Sequence, residues 1–199
     1  MTKRQQIQDL LAREGVIRAH NVVEYGIAPE YLSILADEGV VERLARGVYA
    51  CPDYEATEYL DLVIVQKRVP HGVFCLLTAL QFHGLTTQIP GNVSIAIERG
   101  HRTPVLDWPP LEVFRISESQ FGAGIEEHEL KSGPTLRVYS AARTIADCFK
   151  FRNRLGLDIA IEALHDGLKQ KKVTIHDLIK HAEICRVKNV IRPYLEAIV

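Results

Sequence analysis

Glycines punctuate the first fifty residues of this chain, and their spacing most constrains the fold. Each of the first three follows a stretch with apolar residues at helical spacing, so the sequence predicts three short helices that each end at a glycine. The predicted helices cover residues 3–14, 19–25 and 29–38, and the glycines that follow them are Gly15, Gly26 and Gly39. The second helix is expected to bury Val22 and Val23. Pro29 suits the first turn of the third helix because its missing N–H would be unpaired there.

A hairpin is predicted after the third helix, with strands over residues 41–44 and 48–50. Its turn contains Gly47, which adopts a positive φ angle at little cost. Arg43 and Arg46 flank the tip of this hairpin. The order helix, helix, tight turn, helix and hairpin is that of a winged helix-turn-helix, whose third helix can enter the DNA major groove while the hairpin reaches phosphates or the minor groove. Such modules also dock proteins, so protein binding is an open alternative.

The candidate contacts to double-stranded DNA are cationic or hydroxyl-bearing side chains of this segment. They are Lys3, Arg4 and Arg18 from the first two helices, Tyr31 and Ser33 on the third helix, and Arg43 and Arg46 on the hairpin. Glu30 and Asp37 fall on the same exposed face of the third helix, where carboxylates repel phosphate although they can accept a hydrogen bond from cytosine N4. Tyr31, Ser33 and the two hairpin arginines are therefore expected to make most of the contacts.

The rest of the chain, residues 53–199, is predicted to be a second domain joined to the first at residues 51–53. Periodicity predicts helices over residues 54–68, 73–85, 141–152, 156–169, 174–185 and 187–197, and strands over 93–99, 111–117, 125–130 and 135–140. Ser140 and Thr174 are suited to be N-caps. The predicted fold class is α+β, with a small, mainly antiparallel sheet packed against several helices in the second domain.

Composition excludes several classes of protein. The formal net charge of −1 predicts neither a nucleic-acid nor an acidic partner, although acids dominate residues 105–130 and bases dominate residues 150–192. No apolar run reaches membrane-spanning length and the N-terminus lacks a signal-peptide core, so a cytoplasmic protein without membrane contact is expected. The four cysteines are far apart, which favours free thiols over a metal site.

Catalytic motifs are also missing from the sequence. It contains no phosphate-binding GxxxxGK[ST] loop, no GxGxxG after a strand and no GxSxG elbow. Glu98 and Asp147 are the only candidate catalytic acids, and Arg143 lies four residues before Asp147, where an ion pair explains the acid equally well. We therefore expect no enzymatic activity, no catalytic residues and no cofactor.

Four segments, taken in their order along the chain, resemble the AbiEi-type antitoxins, which are transcriptional regulators of type IV toxin–antitoxin systems. They are "LARGVYACP", "LLTALQFHGLTTQIP", "VSIAIERGHR" and "LRVYSAARTIADCFKFRNRLGLDIAIEAL", and the resemblance covers about residues 5 to 185. It implies an N-terminal winged helix over residues 1–52 and a C-terminal antitoxin domain over residues 53–199.

The resemblance also implies a function. Family members bind inverted repeats upstream of their own operon and repress it. Their toxin is a nucleotidyltransferase-like protein encoded next door, and no stable complex with it is expected. Carried onto this sequence, residues 29–38 and the two hairpin arginines would face the DNA, and basic residues of the second domain would add backbone contacts. The resemblance leaves open dimerisation on DNA. A protein-interaction or ligand-responsive regulator without a toxin partner is the alternative.

Overall fold

The computed structural model describes residues 2–55, 58–131 and 133–198, and it confirms the α+β class. The helices are α1 (Lys3–Glu14), α2 (Glu30–Asp37), α3 (Leu60–Arg68), α4 (Leu76–Phe82), α5 (Glu118–Phe121), α6 (Ala141–Lys150), α7 (Arg152–Leu155), α8 (Leu157–Lys169), α9 (Ile175–Ile184) and α10 (Lys188–Ile198), with a 3-10 helix at Ala19–Tyr25. The strands are β1 (Val16–Arg18), β2 (Glu42–Ala45), β3 (Val48–Ala50), β4 (Val73–Phe74), β5 (Val93–Glu98), β6 (Leu111–Ile116), β7 (Ile125–His128) and β8 (Leu136–Tyr139).

The chain divides into two compact units, and neither is continuous in sequence. The first unit comprises Met1–His71, Pro104–Pro110 and His128–Leu136, and the second comprises Gly72–Thr103, Leu111–Glu127 and Arg137–Val199. The first unit is larger than the winged helix predicted over residues 1–52. It also contains α3, whose Val63 packs against Val16 and Val48 of the neighbouring sheet.

The first unit contains a three-stranded antiparallel sheet in the order β1–β3–β2. The predicted hairpin is present as β2 and β3. Strand β1 was not predicted, because a three-residue strand directly after Gly15 is too short to show an alternating pattern. The two sheet faces bury different clusters: Ile17 and Tyr49 pack with the apolar side chains of α1 and α2, whereas Val16 and Val48 pack towards α3.

The helices of the first unit follow the glycine pattern closely. Helix α1 begins with a capping box formed by Thr2 and Gln5 and ends at Gly15, and it buries Ile7, Leu10 and Leu11. The second predicted helix is a 3-10 helix that buries Val22 but leaves Val23 44% exposed, so the predicted burial of Val23 is wrong. Three residues per turn bring only every third side chain to the inner face, and Val23 falls beside it.

The second unit contains a mixed five-stranded sheet in the order β6–β5–β4–β8–β7. Strand β4 pairs antiparallel with β5, but β5 with β6 and β4 with β8 are parallel, so the predicted mainly antiparallel sheet is wrong. Strands β5 and β6 are joined by residues 99–110, a connection long enough to return the chain in the same direction. The apolar pattern of each strand carries no information about that direction.

Two predicted helices begin later than expected. The helix predicted over residues 73–85 is preceded by β4 and starts at Leu76, because a two-residue strand is hidden in a continuous apolar run. The helix predicted over residues 54–68 is observed as α3, and residues 56 and 57 lie outside the described part of the chain. The short helix α5 follows residue 117, in a segment for which the sequence predicts neither a helix nor a strand.

Helix α6 is the centre of the second core and packs against α4, α8, α9 and α10. Both predicted N-caps are confirmed, since Ser140 accepts a hydrogen bond from the Arg143 amide and Thr174 accepts one from the Asp177 amide. The helix predicted over residues 141–152 is divided into α6 and α7. In the described residues, no helix has the length and apolar character needed to cross a bilayer.

Candidate nucleic-acid interface

The tip of the wing, the hairpin of β2 and β3, is formed by Arg46 and Gly47. Gly47 has a φ angle of 74°, which places it in the left-handed region that glycine adopts without strain. Its carbonyl accepts a hydrogen bond of 2.9 Å from the Ala19 amide, so the end of β1 lies beside the tip. The Arg46 side chain is 77% exposed. A cation is therefore presented at the end of a short, well-anchored hairpin.

Arg68, the last residue of α3, is hydrogen-bonded to the backbone of this tip. Its Nη1 atom donates a hydrogen bond of 2.5 Å to the carbonyl oxygen of Arg46. A Cβ atom at position 47 would lie 3.3 Å from the same Nη1, so glycine also makes room for the guanidinium. Sequence reasoning missed Arg68, because residues 46 and 68 meet only in the folded chain.

The segment Pro104–Pro110 belongs to the same unit and also reaches the wing. Asp107 lies with its carboxylate 3.7 Å from the guanidinium of Arg46, and its side chain is 69% exposed. Trp108 is 60% exposed despite its large apolar surface. Together with Arg46, Arg68 and Leu44 these residues line a cleft of about 80 Å³. The acidic stretch noted in the sequence gives no hint that one of its members pairs with the wing.

Arg43 lies on β2 directly opposite Tyr49, on the sheet face directed towards α2. The hydroxyls of Tyr49 and Ser33 are hydrogen-bonded at 3.2 Å, which ties the exposed side of α2 to the wing. Val41, Val48 and Tyr49 are buried and Leu44 is half-buried, so apolar side chains hold the hairpin to the rest of the first unit. Arg43 and Ser33 therefore belong to one surface formed by α2 and β2.

The other predicted contacts are more scattered. Arg18 lies opposite Val48, on the sheet face that packs towards α3, although its position at the end of β1 places its backbone near the wing tip. Lys3 is exposed at the start of α1. Arg4 forms a 3.5 Å ion pair with Glu38 at the end of α2, and Tyr31 is half-buried against the core of the first unit. The structure thus places Ser33 and Arg43 on one surface and the backbone of Arg18 near the wing tip.

The second unit contains a buried network around Arg143 and Asp147. Their guanidinium and carboxylate are 2.9 Å apart, so the pairing predicted from the i, i+4 spacing is present. Arg143 Nη1 donates hydrogen bonds to the carbonyls of Gln120 and Ala123, and the guanidinium lies 4.5 Å from the ring centre of Tyr139. The thiol of Cys185 donates to the other carboxylate oxygen of Asp147.

Burial and neighbouring charges change the pKa of two groups in this network, the Arg143 guanidinium and the Cys185 thiol. Burial alone would lower the pKa of Arg143, but the Asp147 carboxylate outweighs it and raises the pKa above the ordinary value. Burial, and next the Asp147 charge, raises the pKa of the Cys185 thiol, which therefore stays protonated and donates. Glu98, the other candidate acid, is half-buried at the end of β5 with its carboxylate 3.9 Å from His101.

A cavity of about 730 Å³ also lies in the second unit. It is lined by Ser140, by Lys172 and Asp177, and by His181, whose buried Nδ1 has no hydrogen-bond partner among the described residues. Burial, followed by the charges of Arg143 and Lys180, lowers the pKa of His181. The cavity therefore combines cationic, anionic and neutral polar groups.

Residues 5–52 match the sequence model of a family described as transcriptional regulator, AbiEi antitoxin. The match extends from α1 to the end of the wing and confirms the resemblance predicted for this segment. The N-terminal segment is therefore similar to this family of antitoxins and transcriptional regulators.

The whole fold is similar to the crystal structure of the RV2827C protein from Mycobacterium tuberculosis. The comparison gives a TM-score of 0.60 at 15% sequence identity and covers 98% of this chain and 81% of that chain. At this identity the likeness is one of fold. No curated protein matches the sequence.

Proposed function

We propose that this protein is a DNA-binding autorepressor and the antitoxin of a type IV, AbiE-like toxin–antitoxin system, acting in the cytoplasm. Residues 1–52 act as a winged helix-turn-helix that binds inverted repeats upstream of the protein's own operon. The observation that carries the proposal is the match of residues 5–52 to a family of transcriptional regulators, on a segment that ends in a wing with an exposed arginine.

In this proposal α2 enters the major groove and the wing contacts the sugar–phosphate backbone. Ser33 is exposed on α2 and is held to the wing by Tyr49, so the helix and the hairpin approach DNA as one surface. Arg43 and Arg46 supply the cations that phosphate requires. Glu30 and Asp37, which are also exposed on α2, would reduce binding to phosphate and restrict base contacts to donors such as cytosine N4.

The experiment is a titration of the purified chain against a duplex that carries its own upstream repeats and against an unrelated duplex of equal length. We expect tighter binding to the upstream duplex, with an affinity that falls steeply as salt increases. Arg46→Ala should weaken binding to both duplexes alike, since a phosphate contact carries no sequence information. No binding to the upstream duplex at low salt would overturn the proposal.

The antitoxin role has a separate test in cells. A nucleotidyltransferase-like reading frame next to the gene would be expressed alone and together with this protein. We expect growth arrest by the toxin alone and rescue by co-expression, without recovery of a stable complex between the two proteins. The proposal includes no catalytic step and no cofactor, so rescue should survive Glu98→Gln.

The cavity in the second unit favours a second candidate, a ligand-responsive regulator without a toxin partner. Its volume of about 730 Å³ and its mixed polar lining are of the kind that binds small molecules. This candidate predicts that a small molecule changes the affinity for the upstream duplex. It would replace the first if no toxin is encoded nearby and extracts of small metabolites alter DNA binding.

A further inference from the structure

The cleft beside the wing tip has the size and the donors of a phosphate site. Its volume of about 80 Å³ is room for two or three water molecules, at roughly 30 Å³ each, and hence for a group as large as a phosphate. Its polar lining is provided by Arg46, Arg68 and Asp107. Leu44 and Trp108 supply apolar walls, and the exposed indole of Trp108 is suited to pack against a deoxyribose ring.

Arg68 gives this cleft its rigidity. The guanidinium is a planar fork with five N–H donors, so it can hold the Arg46 carbonyl and bind an oxyanion at the same time. It is half-buried at the end of α3, where it loses less freedom on binding than a fully exposed arginine would. Arg46 is the more exposed of the two arginines, since most of its side chain is in solvent.

In the protein without DNA, the carboxylate of Asp107 is the anion that pairs with Arg46. Its carboxylate, 3.7 Å from the Arg46 guanidinium, carries the charge and the acceptor oxygens that a phosphate would bring. Both side chains are mostly exposed, so the pair is weak enough to exchange with another anion. A phosphate that enters the cleft must displace this carboxylate and will also be repelled by it.

We propose that the cleft between Arg46 and Arg68 receives one backbone phosphate of the bound DNA, and that Asp107 competes with this phosphate for Arg46. The inference rests on the proposed DNA-binding function and adds Arg68 and Trp108 to its interface. On this proposal, Asp107 acts as an intramolecular brake: it lowers the affinity of the protein for DNA by competing for Arg46. The brake acts on every sequence alike, because it acts through a phosphate.

The test measures dissociation constants of the full-length chain for the upstream duplex and the unrelated duplex by fluorescence anisotropy at several salt concentrations. The variants are Asp107→Asn, Arg46→Ala, their combination, Arg68→Ala and Arg68→Lys. Glu42→Gln is the matched control, since it neutralises an exposed carboxylate at the base of the wing, away from the ion pair. Thermal melting of each variant shows whether it folds.

We expect Asp107→Asn to tighten binding to both duplexes by about two- to fivefold more than Glu42→Gln does, the range that an exposed ion pair allows. The gain should vanish when Arg46 is also alanine. Arg68→Ala should weaken binding and lower the slope of log affinity against log salt by about one, and Arg68→Lys should restore much of the slope because it keeps the charge.

The outcomes separate the two levels of the proposal. If the unmutated chain binds neither duplex, the DNA-binding function and the cleft assignment are both wrong. If it binds DNA but Asp107→Asn equals Glu42→Gln, or keeps its gain without Arg46, the competition is overturned. If a folded Arg68→Ala variant binds with unchanged affinity and slope, Arg68 is not a phosphate ligand.

Discussion

Arg143 and Asp147 in the second unit lie 2.9 Å apart with almost no exposed surface, whereas Arg46 and Asp107 in the first unit lie 3.7 Å apart and are mostly in solvent. The chemical groups are the same. The buried pair is surrounded by carbonyl oxygens, a thiol and an aromatic ring, and removal of either member would leave the other charge buried and unpaired. Water can replace either member of the exposed pair at little cost.

Of the two ion pairs, the exposed one is suited to bind a ligand and the buried one to stabilise the fold. A pair that cannot exchange its partners contributes to the fold, because breaking it leaves an uncompensated charge in a medium of low dielectric constant. In an ion pair whose partners exchange easily, the cation can leave its carboxylate and bind an anionic ligand instead. Breaking the buried pair should therefore cost far more stability than breaking the exposed pair.

The largest expected effect is on stability when the buried pair is broken. Asp147→Ala leaves the Arg143 guanidinium buried and unpaired, which should lower the free energy of unfolding by about 3–5 kcal/mol. Asp107→Ala is the matched control and should change it by less than about 0.5 kcal/mol. Urea denaturation of both variants checks this, and equal losses would remove the contrast.

A smaller effect is expected at Arg68, which is intermediate in burial. Arg68→Ala removes the hydrogen bond to the Arg46 carbonyl, and a loss of about 1 kcal/mol in unfolding free energy follows from the usual net value of such a bond. Arg46→Ala should not lower stability measurably, since the ion pair that its side chain makes with Asp107 in the described part of the chain is mostly in solvent. The same denaturation assay measures both variants. A larger loss of unfolding free energy for Arg46→Ala than for Arg68→Ala would show that the Arg46 side chain stabilises the fold.

A pH dependence should come from His181 beside the buried pair. Its pKa is lowered in the folded protein by burial and by Arg143, so the unfolded chain binds a proton more readily. Stability from this group is therefore present above the unfolded pKa of about 6.5 and is lost as pH falls below it. His181→Gln should flatten the pH profile of unfolding between pH 7 and 5, whereas His176→Gln on the exposed face of α9 should leave it steep.

The smallest effect is expected for the ion pair of Arg4 and Glu38, which is 3.5 Å apart and about half exposed on both sides. Glu38→Gln should change unfolding free energy by no more than about 0.5 kcal/mol. If Arg4 contacts phosphate, the same variant should still slightly tighten DNA binding, because the cation is released. A stability loss comparable to that of Asp147→Ala would contradict the ranking.

The parts of the fold that follow from local chemistry could be predicted from the sequence. Glycine positions and apolar periodicity fixed the limits of α1, α2 and the wing, and hydroxyl side chains before apolar runs marked the caps of α6 and α9. Strand β4 and the parallel direction of β6 could not be predicted, since a two-residue strand has no period and strand direction depends on distant connections.

The candidate interface likewise contains some residues that the sequence predicts and others that it does not. Arg43 and Arg46 could be found because they stand beside a glycine turn. Arg68 and Asp107 could not, because nothing in their own segments indicates that residues 46, 68 and 107 meet in space.

The first unit is assembled from three separate stretches of the chain. The wing with its contacts is therefore not a contiguous module that can be transplanted as one segment. A recombination event that exchanged only residues 1–52 would separate Arg46 from both Arg68 and Asp107, and the wing would arrive in its new host without its support or its brake. A chimera would have to carry all three stretches to keep the contacts of Arg46.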